Sequence, residues 1–174
     1  LRPLREHLER HEGVHTAAMT YPVGPSVAQL ARRLHAVVTE LPPGVHVHLL
    51  GHSVGGIVAR YFAQEIGDPR VVQTVSLASP FAGIRSAAWL RGSLARDLAP
   101  DSALLRSLRL GGSRRLGIPH LSVVAADDDL LRGPATQALA GGDVATIRGC
   151  GHNGMLYHDG TCRIVAERVV DFCR

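Results

Sequence analysis

Lysine is absent from this sequence, and the 19 basic residues behind its formal charge of +4 are all arginine. The arginines stand singly or in pairs, such as Arg32-Arg33 and Arg114-Arg115, and acidic residues are mixed among them. A nucleic-acid-binding surface would instead concentrate its basic residues on one face. We therefore predict no nucleic-acid partner, while transient contact with an anionic lipid surface stays open.

Cysteine is scarce, and the three thiols of Cys150, Cys162 and Cys173 cannot all be paired. They therefore do not form the framework of a small disulfide-stapled domain. Cys162 and Cys173 fall on one predicted helix, where a separation of about 16 Å along the helix axis is too long for a disulfide. A bridge from Cys150 to either of them stays open, and so does the choice between a cytoplasmic and a secreted protein.

Long apolar runs are missing too, and no stretch approaches the roughly 18 apolar residues that a membrane-spanning helix needs. With 174 residues, 45% of them hydrophobic, the chain has material for a single domain over 1–174. Short β-rich runs alternate with helical periods, which predicts an α/β fold with a mostly parallel sheet between two helical layers. The predicted strands are 15–20, 45–50, 71–78, 120–126 and 143–148, and the predicted helices are 1–10, 26–41, 54–66 and 161–173.

One motif in this alternation carries chemistry. Gly51-His52-Ser53-Val54-Gly55 matches G-x-S-x-G and lies between an apolar strand and an amphipathic helix. At such a turn the serine takes a strained backbone conformation that exposes its hydroxyl, and the glycines let strand and helix pass closely. The amide N–H of Val54 would stabilise an oxyanion. We predict Ser53 as a nucleophile. The alternatives are a glycine-rich strand-to-helix turn without chemistry and a phosphate-binding loop, whose glycine spacing is missing here.

A serine nucleophile needs a base and an acid that orients it, and in this fold they follow in the order Ser, acid, His. Asp127, Asp128 and Asp129 follow the predicted strand 120–126, at the carboxyl edge of the sheet. We predict Asp128 as the acid. Residues 128–131, Asp-Asp-Leu-Leu, resemble an acid turn of the form Asp-x-apolar-apolar, with a small residue, Ala125, three positions before the acid. Asp129 and Asp127 are the alternatives. The trio could also be a solvated acidic turn or a divalent-cation site.

The predicted base is His152, in Gly151-His152-Asn153-Gly154 after the predicted strand 143–148. Glycines around it suit a histidine that must reach over the serine. His158 is the alternative base.

Four other histidines allow a metal-site hypothesis, because His46 and His48 share a strand face and His15 or His52 could join them. Histidines on a strand beside helices are more often packed or hydrogen-bonded locally. We therefore predict no metal ion and no other cofactor.

From about residue 14 to its end, the chain resembles the lipase branch of the α/β-hydrolases. Residues 51–62, Gly-His-Ser-Val-Gly-Gly-Ile-Val-Ala-Arg-Tyr-Phe, are similar to the nucleophile segment of triacylglycerol lipases and of inositol-deacylase-like esterases. Residues 76–83 are similar to the Leu-Gly-Thr-Pro-His-x-Gly turn of these enzymes, and residues 98–105 to one of their cap segments. The resemblance implies a three-layer α/β-hydrolase fold and lipase or carboxylesterase activity.

The front of the chain departs from the family pattern. Family members have an earlier strand that ends in a His-Gly loop and supplies a second oxyanion donor, and this chain starts beyond it. Leu1–Arg10 is then the helix that follows that loop. The resemblance therefore implies an N-terminally incomplete hydrolase domain, with a strand missing beside 15–20 and weak activity on its own.

Residues 80–118 fit the alternation poorly and are predicted to be an insertion over the sheet edge, with helices around 87–98 and 102–110. Their apolar residues predict a cap for a hydrophobic substrate above Ser53, with ordinary packing on the sheet as the alternative. These residues are Trp89, Leu90, Leu94, Leu98, Leu104, Leu105 and Leu108.

The sequence is compatible with three functions. The first is a serine esterase or lipase that acts on a hydrophobic ester through Ser53, Asp128 and His152. The second is a non-catalytic module of the same fold that binds a ligand or protein in the cleft. The third is an acyltransferase on the same three residues, since the pocket chooses the acceptor. The sequence does not specify the ester or the oligomeric state.

Overall fold

The computed structural model describes residues 1–22, 24–85, 91–113, 117–131 and 133–173. In these residues a parallel sheet has four strands in the order β1-β2-β3-β4. The carboxyl ends of parallel strands lie at one edge of a sheet, so the loops that follow them meet there. The strands are β1 Val47–His52, β2 Val71–Leu77, β3 His120–Ala125 and β4 Asp143–Ile147.

Helices cover both faces of the sheet. One core cluster joins α2, α3, α4 and α5 to β1, and a second joins α1 and α6 to β2, β3 and β4. The arrangement confirms the predicted three-layer α/β fold. The helices are α1 Arg2–Leu8, α2 Val27–Thr39, α3 Val54–Tyr61, α4 Gly92–Asp97, α5 Ala103–Ser113 and α6 Asp159–Val170; a π-helical turn, Phe62–Ile66, extends α3, and 3₁₀ turns cover Pro134–Thr136, Gly154–Leu156 and Asp171–Cys173.

The start of α2 shows how local chemistry places an element. Ser26 Oγ accepts a hydrogen bond from the Gln29 N–H (3.2 Å), and the Gln29 side chain accepts one from the Ser26 N–H (2.8 Å). This capping box satisfies two of the N–H groups that a helix leaves free at its first turn. Asp97 of α4 accepts from the Val27 N–H (2.7 Å), which ties α4 to the same turn. The predicted helix 26–41 is therefore confirmed.

The prediction of a strand over 15–20 is wrong. These residues form no strand, and in the described part of the chain β1 has β2 as its neighbour and no strand on its other side. A strand satisfies its backbone N–H and C=O groups only by pairing with a neighbour. Thr16 and Thr20 favour an extended chain, but Ala17 and Ala18 do not, and no neighbouring strand in the described residues pairs with 15–20.

Four leucines of the predicted insertion lie in the core. Leu94, Leu98, Leu105 and Leu108 are at most 2% exposed and pack in the cluster that contains α2 and α3. Trp89 and Leu90 lie outside the described residues. A role of 80–118 as a cap therefore stays a prediction, because these four leucines are occupied by the core.

Cys150 and Cys162 carry free thiols, so no bridge joins them. Within the ranges described above, every helix is too short or too polar to cross a bilayer.

Candidate active site

The centre of the site is the turn at which β1 ends and α3 begins. Ser53 lies between them with φ 54° and ψ −123°, in the left-handed region that a residue with a side chain rarely adopts. Such a conformation costs about 1 to 3 kcal/mol and persists only where the surroundings enforce it. The Ser53 N–H donates to the Leu77 carbonyl (2.8 Å), which anchors the turn on β2.

Glycines around Ser53 make this turn possible. A Cβ atom on Gly51 would lie 2.1 Å from the carbonyl carbon of Gly55. A Cβ atom on Gly56 would lie 2.1 Å from the Ser79 hydroxyl oxygen, on the turn after β2. Strand and helix therefore touch backbone to backbone at Gly51, the Ser79 side chain packs directly on the helix backbone at Gly56, and only glycine fits at these two positions.

The first residue of α3 supplies the candidate oxyanion donor. Val54 follows Ser53 directly, and its amide lies at the end of the helix where unpaired N–H groups and the helix dipole give positive potential. The Val54 side chain is 6% exposed and packs in the core, which fixes the start of the helix.

Asp128 and His152 form a buried pair. Asp128 Oδ2 lies 2.8 Å from His152 Nδ1, and the two side chains are 0% and 8% exposed. Asp128 Oδ1 accepts from the N–H groups of Leu130 (2.8 Å) and Leu131 (2.6 Å), so both oxygens are engaged and the carboxylate is fixed. The loop after β3 thus holds the imidazole of the loop after β4.

The neighbouring aspartates bind backbone rather than imidazole. Asp127 Oδ2 accepts from the Gly149 N–H (2.7 Å), and Asp129 Oδ1 accepts from the His152 N–H (3.2 Å). The His152 N–H lowers the pKa of Asp129, because it stabilises the charged carboxylate. Of the three aspartates that the sequence left open, the structure brings Asp128 to the imidazole, and the other two hold the loop around it.

His52 joins the serine turn to the histidine loop. Its Nε2 atom lies 2.9 Å from the carbonyl oxygen of His152, and the two imidazole centroids are 4.7 Å apart. Within the described residues, the hydrogen-bonding partners of His152 are His52, Asp128 and Asp129, and the Ser53 hydroxyl is not among them. In unliganded enzymes the hydrogen bond between nucleophile and base is often long and tightens with substrate.

Solved structures of lipases and esterases share this architecture. The Bacillus licheniformis lipase superposes with TM-score 0.58 and 14% identity, over 74% of this chain and 66% of that lipase. Lipase B of Aspergillus fumigatus superposes with TM-score 0.65 and 16% identity, over 82% of this chain and 41% of the lipase. A lipase-esterase related protein of Clostridium acetobutylicum superposes with TM-score 0.61 and 16% identity, over 97% of this chain and 88% of that protein.

The chain has the α/β-hydrolase fold. It spans less than two thirds of each of the two lipases, and neither the protein-family models nor the curated proteins give a match to its sequence. At these identities the likeness extends to the fold, which has its nucleophile turn after a central strand and hosts many chemistries. In that fold, the carboxyl edge that carries Ser53, Asp128 and His152 is where sites lie.

The other histidines that the sequence offered as an alternative base or as metal ligands lie away from Asp128. His158 caps α6, since its Nδ1 accepts from the Gly160 N–H (3.1 Å). His46 and His48 pack edge-on against Phe172, with centroids 6.1 and 5.6 Å from its ring. The described ranges contain no group of three or more His, Cys, Asp or Glu residues placed to hold a metal ion.

The contacts of His52 and Asp129 with the His152 backbone could not be predicted from the sequence, which presents His52 as a metal-site candidate and Asp129 as an alternative acid. Their hydrogen bonds join positions 100 and 23 residues apart in sequence. Such contacts depend on the loop conformations after β1, β3 and β4, for which residue spacing gives no signal. Their proximity to Ser53 and Asp128 was the one available hint.

Proposed function

We propose that this protein is a serine hydrolase that cleaves carboxylic esters through an acyl-enzyme on Ser53. His152 is the general base, Asp128 orients it, and the Val54 N–H stabilises the oxyanion. The observation that carries the proposal is the buried Asp128–His152 pair, joined at 2.8 Å, at the same sheet edge as a serine held at φ 54°. A strained serine and a buried carboxylate-imidazole pair at one sheet edge suit covalent catalysis.

The Asp128 contact sets the tautomer of the base. An ionised carboxylate only accepts hydrogen bonds, so the proton of His152 lies on Nδ1, the nitrogen 2.8 Å from Asp128. Nε2 is then the free acceptor that can take a proton from Ser53. Asp128 also stabilises the imidazolium that forms when the proton arrives.

The first half of the reaction forms the acyl-enzyme. Ser53 Oγ attacks the ester carbonyl carbon while His152 Nε2 takes the hydroxyl proton, and the carbonyl electrons move to the oxygen that faces the Val54 N–H. When this intermediate collapses, the bond to the alcohol oxygen breaks. The alcohol leaves with the proton from His152, and the acyl group stays on Ser53.

The second half repeats the sequence with water. His152 Nε2 takes a proton from the water, whose oxygen attacks the acyl carbonyl. Collapse breaks the bond to Ser53 Oγ, returns the proton to it and releases the carboxylic acid. An alcohol in place of water would make the same site an acyltransferase.

Hydrophobic acyl esters are the proposed substrate class. Support comes from the lipase-like segments at 51–62, 76–83 and 98–105, and from the fold shared with proteins named as lipases and esterases. We expect kcat/KM for nitrophenyl esters to rise from the acetate to a medium-chain ester. A preference for the acetate would contradict this substrate class but not the hydrolase.

Two neighbouring aspartates allow a matched test of the mechanism. Asp128→Asn keeps the shape of the side chain but favours the wrong tautomer of His152, and it should lower kcat by about 10³- to 10⁴-fold. Asp127→Asn removes the same charge one residue away, where the side chain accepts from the Gly149 N–H. We expect it to lower kcat by about tenfold or less. Hydrolysis of a nitrophenyl ester measures both.

The proposal fails if the folded, unsubstituted protein cleaves no ester, or if the two variants lose activity equally. A folded protein that binds hydrophobic ligands without turnover would be a binding module instead. Transfer of the acyl group to an added alcohol, without hydrolysis, would identify an acyltransferase.

A further inference from the structure

The main chain of His152 is held from both sides. Its N–H donates to Asp129 Oδ1 (3.2 Å), on the loop after β3. Its C=O accepts from His52 Nε2 (2.9 Å), at the last residue of β1. The two polar groups of one peptide segment are thus bound by side chains from two different strand ends.

The loop that carries His152 is rich in glycine. Gly149, Gly151 and Gly154 surround the histidine, and Gly149 has φ 76°. Glycine loses more conformational freedom on ordering than any other residue, so this loop needs contacts from outside to take one conformation. A Cβ atom on Gly151 would lie 3.2 Å from Asp129 Oδ1, so the glycine also gives the carboxylate room to approach.

His52 is suited to a fixed contact. Since a carbonyl oxygen can only accept, the His52 nitrogen that faces it must carry the hydrogen. The pKa of His52 is lowered to about 4, mainly because burial disfavours the charged imidazolium; the hydrogen bond to the His152 carbonyl opposes this shift only in part. The imidazole is therefore neutral near pH 7, and its donor stays in place.

The bond from Asp128 to Nδ1 fixes one atom of the His152 ring, but it leaves the ring free to pivot about that bond. Fixing the peptide groups on either side of the His152 Cα sets where the side chain begins, and so the plane of the ring. Only then does Nε2 have one position relative to Ser53. Reactions of this kind are sensitive to displacements of about 1 Å, which cost roughly 10²-fold in rate.

We propose that His52 and Asp129 are positioning residues that clamp the main chain of His152 and so aim its imidazole at Ser53. This inference rests on the proposed function. It assigns a task to the residue before the nucleophile and to the residue after the acid, both of which act through the His152 main chain. Loss of either contact should lower the rate of chemistry and leave substrate affinity unchanged.

The test of His52 uses a donor swap. His52→Leu removes the donor, whereas His52→Gln keeps an N–H group at similar reach. We expect the Leu variant to lower kcat and the labelling rate of Ser53 by a fluorophosphonate about 10- to 10²-fold, with KM unchanged. The Gln variant should recover most of the loss, and His15→Leu, at an exposed histidine, should show none.

The test of Asp129 follows the same logic. Asp129→Ala removes the acceptor, whereas Asp129→Asn keeps a carbonyl oxygen for the His152 N–H. We expect Ala to reduce kcat and labelling by a similar factor and Asn to restore them to within about threefold. Equal losses in both variants would mean that the charge, and not the clamp, is what matters, and would overturn the inference for Asp129.

A second readout does not depend on activity. The Nδ1 proton that His152 shares with buried Asp128 should give a downfield proton resonance in the unsubstituted protein. It should broaden or disappear in His52→Leu and Asp129→Ala, and persist in His52→Gln and Asp129→Asn. If the unsubstituted protein takes no label, the proposed function fails and this resonance alone decides the clamp. If labelling and resonance are the same in all variants, the clamp is refuted and the proposed function stands.

Discussion

Among single residues, the glycines next to Ser53 decide whether the serine turn can form, because there is no room for side chains at their positions. Ser53 keeps a positive φ because Gly51 lets β1 and α3 meet without a side chain between them, and Gly56 leaves room on α3 for the Ser79 side chain of the turn after β2. The strain of one residue is thus offset by contacts that depend on its neighbours being small. Substitutions at these glycines should therefore be tolerated less well than substitutions at exposed positions.

Gly51→Ala tests this packing. The added methyl group would lie 2.1 Å from the Gly55 carbonyl carbon, so strand or helix must move. We expect the free energy of unfolding, from urea denaturation, to fall by about 1 to 3 kcal/mol. Gly117→Ala is the matched control, because a Cβ atom there meets nothing within 4 Å. Equal stability of the two variants would show that the turn is looser than described.

At the scale of elements, α5 contributes to the core rather than to an open surface. Leu105 and Leu108 are 0% exposed and pack in the cluster shared with α2 and α3, whereas Leu110 on the same helix is 63% exposed. The helix therefore anchors the 80–118 segment to the body of the domain. Any cap function must come from other residues of that segment.

A pair of substitutions on α5 measures this anchoring. Leu105→Ala should lower the free energy of unfolding by about 2 to 5 kcal/mol, because it removes buried methyl groups and leaves a cavity. Leu110→Ala should change it by less than about 0.5 kcal/mol, because that side chain is largely in water. Denaturant unfolding compares them directly. A small effect at Leu105 would mean that α5 detaches from the core at little cost.

The elements that could be predicted from sequence are those whose signals are local. The helix over 26–41 has its cap at Ser26 and Gln29, and the serine turn has its glycines within five residues. The strand over 15–20 could not be predicted correctly, because a strand depends on a partner elsewhere in the chain, and that partner is not among the described residues.

The candidate site likewise has residues that a local motif predicts and residues that depend on contacts with distant parts of the chain. Ser53 and Val54 could be placed from one motif, because strand, turn and helix are contiguous. The choice among Asp127, Asp128 and Asp129 could only be ranked, because it depends on which carboxylate reaches an imidazole 24 residues away. All three aspartates are engaged with the histidine loop, so composition alone carries no distinction between them.

At the scale of the whole molecule, three half-buried or buried histidines make stability depend on pH. Burial lowers the pKa of His48 and His52 to about 4 and that of His120 to about 3. His120 is held neutral between the hydroxyls of Thr74 (2.7 Å) and Ser76 (3.1 Å). The folded protein therefore binds fewer protons than the unfolded chain over the range below about pH 6.5.

The sign of the effect follows from these lowered pKa values. Stability is fully present above the unfolded histidine pKa of about 6.5 and falls as pH drops toward about 4, by at most about 1.4 kcal/mol per pH unit for each histidine. Urea unfolding at about pH 7.5 and about pH 5 measures the slope. His120→Gln should reduce it, and His15→Gln should leave it unchanged. Equal stability at both pH values would contradict the burial of these imidazoles.

The proposed reactivity of Ser53, with His152 as its base, can be tested by mapping a covalent label. A fluorophosphonate should form an adduct on the peptide that contains Ser53, detected by mass spectrometry after digestion of the folded protein. The adduct should be lost in Ser53→Ala and in His152→Ala, because without its base the hydroxyl stays protonated. Ser107→Ala, at an exposed serine of α5, should keep it. A folded protein that forms no adduct, or forms it on another serine, would contradict the account.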